Sequence, residues 1–305
     1  MCCLFGLMDC AHRLSAKQKT QLITALALES EVRGTDAAGI AYNSKGRLHI
    51  YKRPGPAHGI QFLVPQDACA VMGHTRMTTQ GDARFFRNNH PFRGRAGDVP
   101  FALAHNGVLY NDKSLRRSLQ LPRTRIQTDS YVAVQILEQQ GSLTPDSLKT
   151  MAETVEGSFA FTILDHTDRL YFIKGDNPLS IYYYPKLNVY LYASTSAILS
   201  QAAGRTWLRH QPYRQERIEP GEIWRLDQNG LELIASFVMS PLFRSSWNEL
   251  FRPAASRGWP EQQYLSDLRY AAAIYGHAPE EVDRLLEAGY TTDEIEDGLY
   301  GGLEW

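Results

Sequence analysis

Cys2 directly follows Met1. Cysteine is small enough for a preceding methionine to be trimmed routinely, which would leave a free amine on the residue that bears the thiol. An α-amino group titrates near ~7.7–8 and can act as a general base at neutral pH. A thiol with that base on its own backbone needs no histidine partner to attack a carbonyl carbon. The same position also suits a small hydrophobe in a terminal strand, because free cysteines are commonly buried. Polar segments follow in order: 33–39 (Arg-Gly-Thr-Asp-Ala-Ala-Gly), 73–81 (Gly-His-Thr-Arg-Met-Thr-Thr-Gln-Gly), Asn89-His90-Pro91, Ala104-His105-Asn106-Gly107 and Thr128-Asp129-Ser130.

The elements around these segments decide where they point. The apolar run 2–8 predicts a buried strand. Ser15 caps a helix whose apolar stripe runs through Leu22, Ile23, Leu26 and Ala27. Strand-like runs come at 38–42, 48–51, 70–74 and 101–105, so Arg76 leaves one strand and Asn106-Gly107 ends another. A helix spans 128–139, and a second follows Thr144-Pro145, with proline at its first position. Five strands are predicted at 158–164, 170–174, 180–184, 189–193 and 222–226. The turn Asp227-Gln228-Asn229-Gly230 then leads into a last strand through Ile234. Two batches of strands with helices between and outside predict an α+β domain over 2–240, built as stacked antiparallel sheets with helical outer layers. Prolines mark 241–260 as a connector. Helical patterns at 261–275, 279–288 and 292–299, separated by Gly276 and Gly289, form a small tail over 261–305.

Composition removes several classes. Of 305 residues, 43% are hydrophobic and 21% charged, with a net charge of −1. This fits a chain that buries a core and argues against nucleic-acid binding by a global basic field. No run approaches the roughly 20 apolar residues of a membrane helix, and the start does not read as a signal peptide. Four cysteines are too few for a disulfide scaffold of this length, so free thiols in a cytoplasmic protein are expected. Charge is uneven: residues 276–305 hold nine acids against Arg284 alone, leaving the rest net positive. The basic stretch 84–125 is expected to be a solvated loop. No spacing suggests a metal site.

Together with Cys2, the five segments resemble the class II, N-terminal-nucleophile glutamine amidotransferase domain found in glucosamine-6-phosphate synthase and amidophosphoribosyltransferase. The resemblance covers roughly 2–235, in the family's order and spacing. It implies an Ntn-hydrolase-like four-layer αββα sandwich that uses no cofactor. Cys2 matches the nucleophile, and Asn106 and Gly107 match the oxyanion hole. Arg76 would pair with the α-carboxylate of glutamine, Asp129 would hold its ammonium, and Thr79 would add a polar contact. Arg33 matches an arginine near the nucleophile, and His105 supports the oxyanion segment. Singly, Arg76 could be a solvated loop residue, Asp129 a helix cap and Asn106-Gly107 a turn. The chain departs from the family in carrying Cys3 where glycine is usual, Met77-Thr78-Thr79-Gln80 for Trp-Ala-Thr-His, and Tyr131 for glutamate. Strand alternation points Cys3 away from Cys2.

The expected activity is hydrolysis of L-glutamine through a Cys2 thioester, with ammonia passed to an acceptor handled by a separate protein. No acceptor-activating motif such as a phosphate-binding loop is present. Two other readings keep the fold: an amidohydrolase for another γ-glutamyl amide, and a non-catalytic glutamine sensor.

Overall fold

The computed structural model describes residues 2–239, 265, 269, 272, 277–290 and 295. The chain divides into two units, Met1–Ser240 and Pro241–Trp305. The first is built on two antiparallel sheets. The seven-stranded sheet has the order β11-β9-β10-β1-β4-β2-β3, and the six-stranded sheet β13-β12-β8-β7-β6-β5.

Every residue of β1 (Cys3–Asp9) is buried: β10 (Val189–Ala193) and β4 (Ala70–Arg76) pair with its two edges, and a helix layer and the second sheet cover its two faces. Alternation then sorts its side chains. Cys3, Phe5 and Leu7 join a core with α1 (Ala16–Glu29) and α5 (Ser196–Gly204), whereas Leu4 and Met8 join the core between the sheets. That central core holds Ala102 and Ala104 of β6 (Val99–Leu109), Ala160 of β7 (Gly157–Asp165), and Leu170 and Phe172 of β8 (Leu170–Lys174). The outer face of the second sheet packs on α3 (Tyr131–Gln140) and α4 (Pro145–Thr154). The layers are therefore helix, sheet, sheet, helix. Each fully buried Phe or Leu contributes ~1.5–3 kcal/mol, so the three cores rather than helix propensity hold the layers.

Local signals set the element ends. Ser15 caps α1 in a capping box with Gln18, and Thr144 does the same for α4 with Ser147. β2 (Ala37–Ser44) and β3 (Arg47–Pro54) form a hairpin, as do β12 (Glu222–Asp227) and β13 (Gly230–Ser236), whose turn uses Gly230 at φ +114. β9 (Ser180–Tyr184) carries the short edge strand β11 (Arg214–Glu216).

Stretch 84–125 is not a loop: it holds β5 (Phe92–Ala96), β6 and α2 (Asp112–Ser118). Arginine alternation in β5, with Arg93 and Arg95 exposed between buried Phe92, Gly94 and Ala96, made a half-buried edge strand look like a solvated run. All four cysteines are free thiols. Among the described residues, no helix is long and apolar enough to cross a membrane.

In the second unit, α6 (Pro279–Glu287) buries Val282 with Ala272 and Ile295, and Arg269 pairs with Asp283 at 2.5 Å. Gly289, at φ +96, follows its C-terminus. The expected connector 241–260 and most of the flanking tail helices lie outside the described residues.

Candidate active site

Cys2 stands at the open end of β1, on the face that looks between the sheets. It is 8% exposed, and its thiol donates to the Met77 carbonyl at 3.4 Å. Burial pushes the thiol's pKa up. Met77's backbone and the positive field of Arg76 oppose that shift, while Asp129 adds to it. Arg76 and Asp129, 53 positions apart in sequence, thus both act on the same sulfur. The Arg33 Nε–H donates to the Cys2 carbonyl at 3.1 Å, fixing the backbone of the thiol-bearing residue. Cys3 turns to the helix layer, where its thiol donates to Ser30 Oγ at 3.3 Å.

Arg76 ends β4 and is 2% exposed, so it is no solvated loop residue. Its guanidinium donates to Asn89 Oδ1 at 2.5 Å and to the carbonyls of Gln80 and Gly81 at 2.6 and 3.1 Å. These bonds fold the segment after β4 back onto the strand end. Its Thr78 N–H is also held, by Asp36 at 2.7 Å. Thr79 lies exposed in that segment, whereas the other expected site residues are buried or linked to buried groups.

Asn106 and Gly107 lie inside β6, paired with Ala160 and Phe159, and so are not a turn. Gly107 has φ +138, and a Cβ there would collide with the Ser158 carbonyl and lie 2.5 Å from Asn177 Nδ2. Only glycine meets both conditions without strain. Asn177 in turn donates to the Asn106 carbonyl at 2.9 Å. The Asn106 side chain is fully buried; its Nδ2 reaches Ser194 Oγ at 3.4 Å and its Oδ1 has no partner.

Asp129 does not cap α3. Its Oδ2 accepts the Leu109 N–H at 2.7 Å, tying the carboxylate to the far end of β6. His105 Nδ1 meets Ser130 Oγ at 2.7 Å, and burial lowers the His105 pKa. His74 packs on His90 at 4.2 Å between ring centroids, and its Nε2 meets the His105 carbonyl at 3.0 Å. Burial takes His74 down to about 3 and His90 well below its ordinary range, so both rings are neutral at pH 7. Among the described residues, no group of three or more His, Cys, Asp or Glu side chains is placed to hold a metal.

The structure therefore links Arg33, Arg76 and Asp129 to Cys2 through a hydrogen bond or a shared field, and Asn106 reaches the β1 strand through Ser194. Sequence reasoning assigned no role to Asn89, Asn177 or Ser194. Asn89 lay in a recognised segment, but Asn177 and Ser194 act through contacts made only when the sheets stack.

Residues 74–201 match the family model described as "Glutamine amidotransferase domain". The glutamine–fructose-6-phosphate aminotransferase (isomerizing) of Bacillus subtilis strain 168 is 32% identical over 185 residues, 58% of this chain and 30% of that protein. Its counterpart from Chlamydia trachomatis serovar D is 32% identical over 188 residues, 59% of this chain and again 30% of the relative. The chain thus spans about a third of the length of these relatives. In fold, the glutamine phosphoribosylpyrophosphate amidotransferase of B. subtilis, solved with ADP and GMP, superposes with a TM-score of 0.60 at 21% identity. That superposition covers 89% of this chain and 58% of the other. Over residues 74–201 the chain thus matches the glutamine amidotransferase domain, it is similar in sequence to part of the glutamine–fructose-6-phosphate aminotransferases, and it shares the two-sheet fold of the phosphoribosylpyrophosphate amidotransferase.

Proposed function

We propose that this domain hydrolyses the side-chain amide of L-glutamine, with Cys2 as nucleophile once Met1 is removed. The carrying observation is the convergence of a guanidinium and a carboxylate on the buried Cys2 thiol, just before β1. A free amino acid offers a carboxylate and an ammonium, and Arg76 and Asp129 complement them. With those ends held, the side-chain amide is left to meet the sulfur.

In the proposed first step, the Cys2 sulfur attacks the amide carbon and its proton passes to the freed α-amine. The carbonyl oxygen becomes an oxyanion, stabilised by the Asn106 side-chain amide and the Gly107 N–H. Each such donor is typically worth ~3–4 kcal/mol in the transition state. The C–N bond then breaks, the amine returns its proton to the leaving nitrogen, and ammonia departs from a glutamyl thioester. Water hydrolyses the thioester to glutamate and regenerates the thiol. We propose that the ammonia is passed to an acceptor handled by another protein.

The direct test is intact mass and peptide mapping before and after 6-diazo-5-oxo-norleucine, a reactive glutamine mimic. Loss of Met1 and a single adduct on Cys2 are expected; a trimmed chain that stays unlabelled would overturn the reading. Arg76→Lys keeps the charge but loses the planar fork. It should raise KM for glutamine by about 10- to 100-fold, the worth of one charge-assisted bond, with a smaller change in kcat. Steady-state kinetics decide this, and an unchanged KM would remove Arg76 from the substrate's carboxylate.

A further inference from the structure

We infer that Ser194 is a positioning residue that turns the Asn106 carboxamide so that its N–H₂ faces the oxyanion. This rests on the reading of Asn106 as an oxyanion donor. Ser194 follows β10 and is fully buried. Its N–H donates to the Leu4 carbonyl at 2.9 Å, and its Oγ accepts the Leu4 N–H at 2.9 Å. The residue is thus clamped to the strand that carries Cys2, two positions from the thiol. Its Oγ also lies 3.4 Å from Asn106 Nδ2, across the gap between the sheets.

Two groups are unsatisfied in this arrangement. Asn106 Oδ1 is buried without a partner, and the Ser194 hydroxyl accepts two bonds while none of its described bonds uses its own proton. A hydroxyl supplies one donor and two acceptor sites, and the two ends of a carboxamide are assigned from the bonds around them. Turning the Asn106 carboxamide by half a revolution resolves both. The Ser194 O–H then donates to Oδ1, and Nδ2 moves to the position where the protein offers no acceptor. An N–H₂ group facing a place without a protein acceptor is what a developing oxyanion would fill. Ser194 would thereby couple the donor on one sheet to the nucleophile strand on the other. Asn177 holds the Asn106 main chain from behind, at 2.9 Å.

The test is Ser194→Ala and Ser194→Thr beside the wild type, each checked for folding by thermal melting. Three quantities are measured: kcat and KM for glutamine, and affinity for glutamate γ-semialdehyde, whose thiohemiacetal with Cys2 carries the same oxygen. Ser194→Ala should lower kcat by about 10- to 100-fold and weaken the aldehyde in step, less than the ~10²–10³ lost when an oxyanion donor is removed outright. KM should stay within about threefold, because ground-state glutamine does not use the donor. Ser194→Thr, which keeps the hydroxyl, should restore kcat. If the alanine variant does not fold, Ser194→Cys, whose thiol is a weak donor, should show the same split. A kcat equal to wild type in the alanine or cysteine variant, or a rise in KM with kcat unchanged, would overturn the assignment. Wild-type enzyme without turnover would instead sink the glutamine reading, and the Ser194 role with it.

Discussion

Replacing Cys2 with alanine is expected to abolish glutamine hydrolysis while leaving glutamine binding intact. The loss in kcat should be on the order of 10⁴-fold or more, since removing a covalent nucleophile eliminates the two-step route rather than weakening it. Binding should persist because the groups proposed to hold the amino-acid end belong to other elements. Arg76 is fixed by Asn89, Gln80 and Gly81, and Asp129 by the Leu109 N–H, none of which depends on the thiol. Removing the sulfur also removes a group that burial already keeps protonated, so little native structure should be lost. Isothermal titration with glutamine and a coupled glutamate assay give both halves of the result. Retained hydrolysis would exclude Cys2 as nucleophile. Binding without turnover in the wild type as well would leave the glutamine-sensor reading.

Much of this arrangement is legible before folding is considered. Strand alternation alone separates Cys2 from Cys3, and the structure places Cys3 in the helix-facing core. A strand end locates Arg76 and a helix start locates Asp129, whereas Asn106, read as ending a strand, lies inside β6, which runs on to Leu109. What escapes is non-local. Ser194 reads as one hydroxyl among several in Ser194-Thr195-Ser196, and only the pairing of β10 with β1 brings it to Leu4. α5 was missed because its sequence, SAILSQAAG, is apolar around most of its circumference and lacks a clean amphipathic period. α2 was missed because seven mostly polar residues carry too little pattern. The bland alternatives for Asn106-Gly107 and Asp129 fail for a physical reason. A turn cannot carry an unbroken ladder to β7 through Asn106 and Gly107 to Leu109 as β6 does, and a capping carboxylate would bond to its own helix rather than to Leu109.

The histidines beneath the site predict a steep loss of stability in acid. His74, His90 and His105 are buried, with neither ring nitrogen of His90 hydrogen-bonded. Burial holds His74 down to about 3 and His90 well below its ordinary value of 6.5. In the unfolded chain both rings take up protons as pH falls through 6.5, whereas the folded protein cannot. The unfolded state therefore binds more protons between 6.5 and about 3. Stability is complete above 6.5 and declines as pH falls, by up to about 1.4 kcal/mol per histidine per pH unit. His74 alone makes the loss by pH 4.5 about 2.7 kcal/mol, and His90 adds to it in the same direction. Asp168, Asp176 and Glu138, whose pKa values burial raises, act in the opposite direction as they protonate, and so blunt the fall at its acid end. Urea unfolding at pH 7.5, 6.5, 5.5 and 4.5 measures the slope, and His74→Gln isolates one ring. The glutamine cannot titrate but is long enough to donate toward the His105 carbonyl from the place of Nε2, so its slope should be shallower by about 1.4 kcal/mol per pH unit. Parallel slopes for the two proteins would show that His74 is not held neutral. The His105 carbonyl is bonded to His74, and the His105 ring meets Ser130 beside Asp129. Acid that opens this stack therefore releases the proposed ammonium-binding end of the site, and activity should fall with the folded fraction.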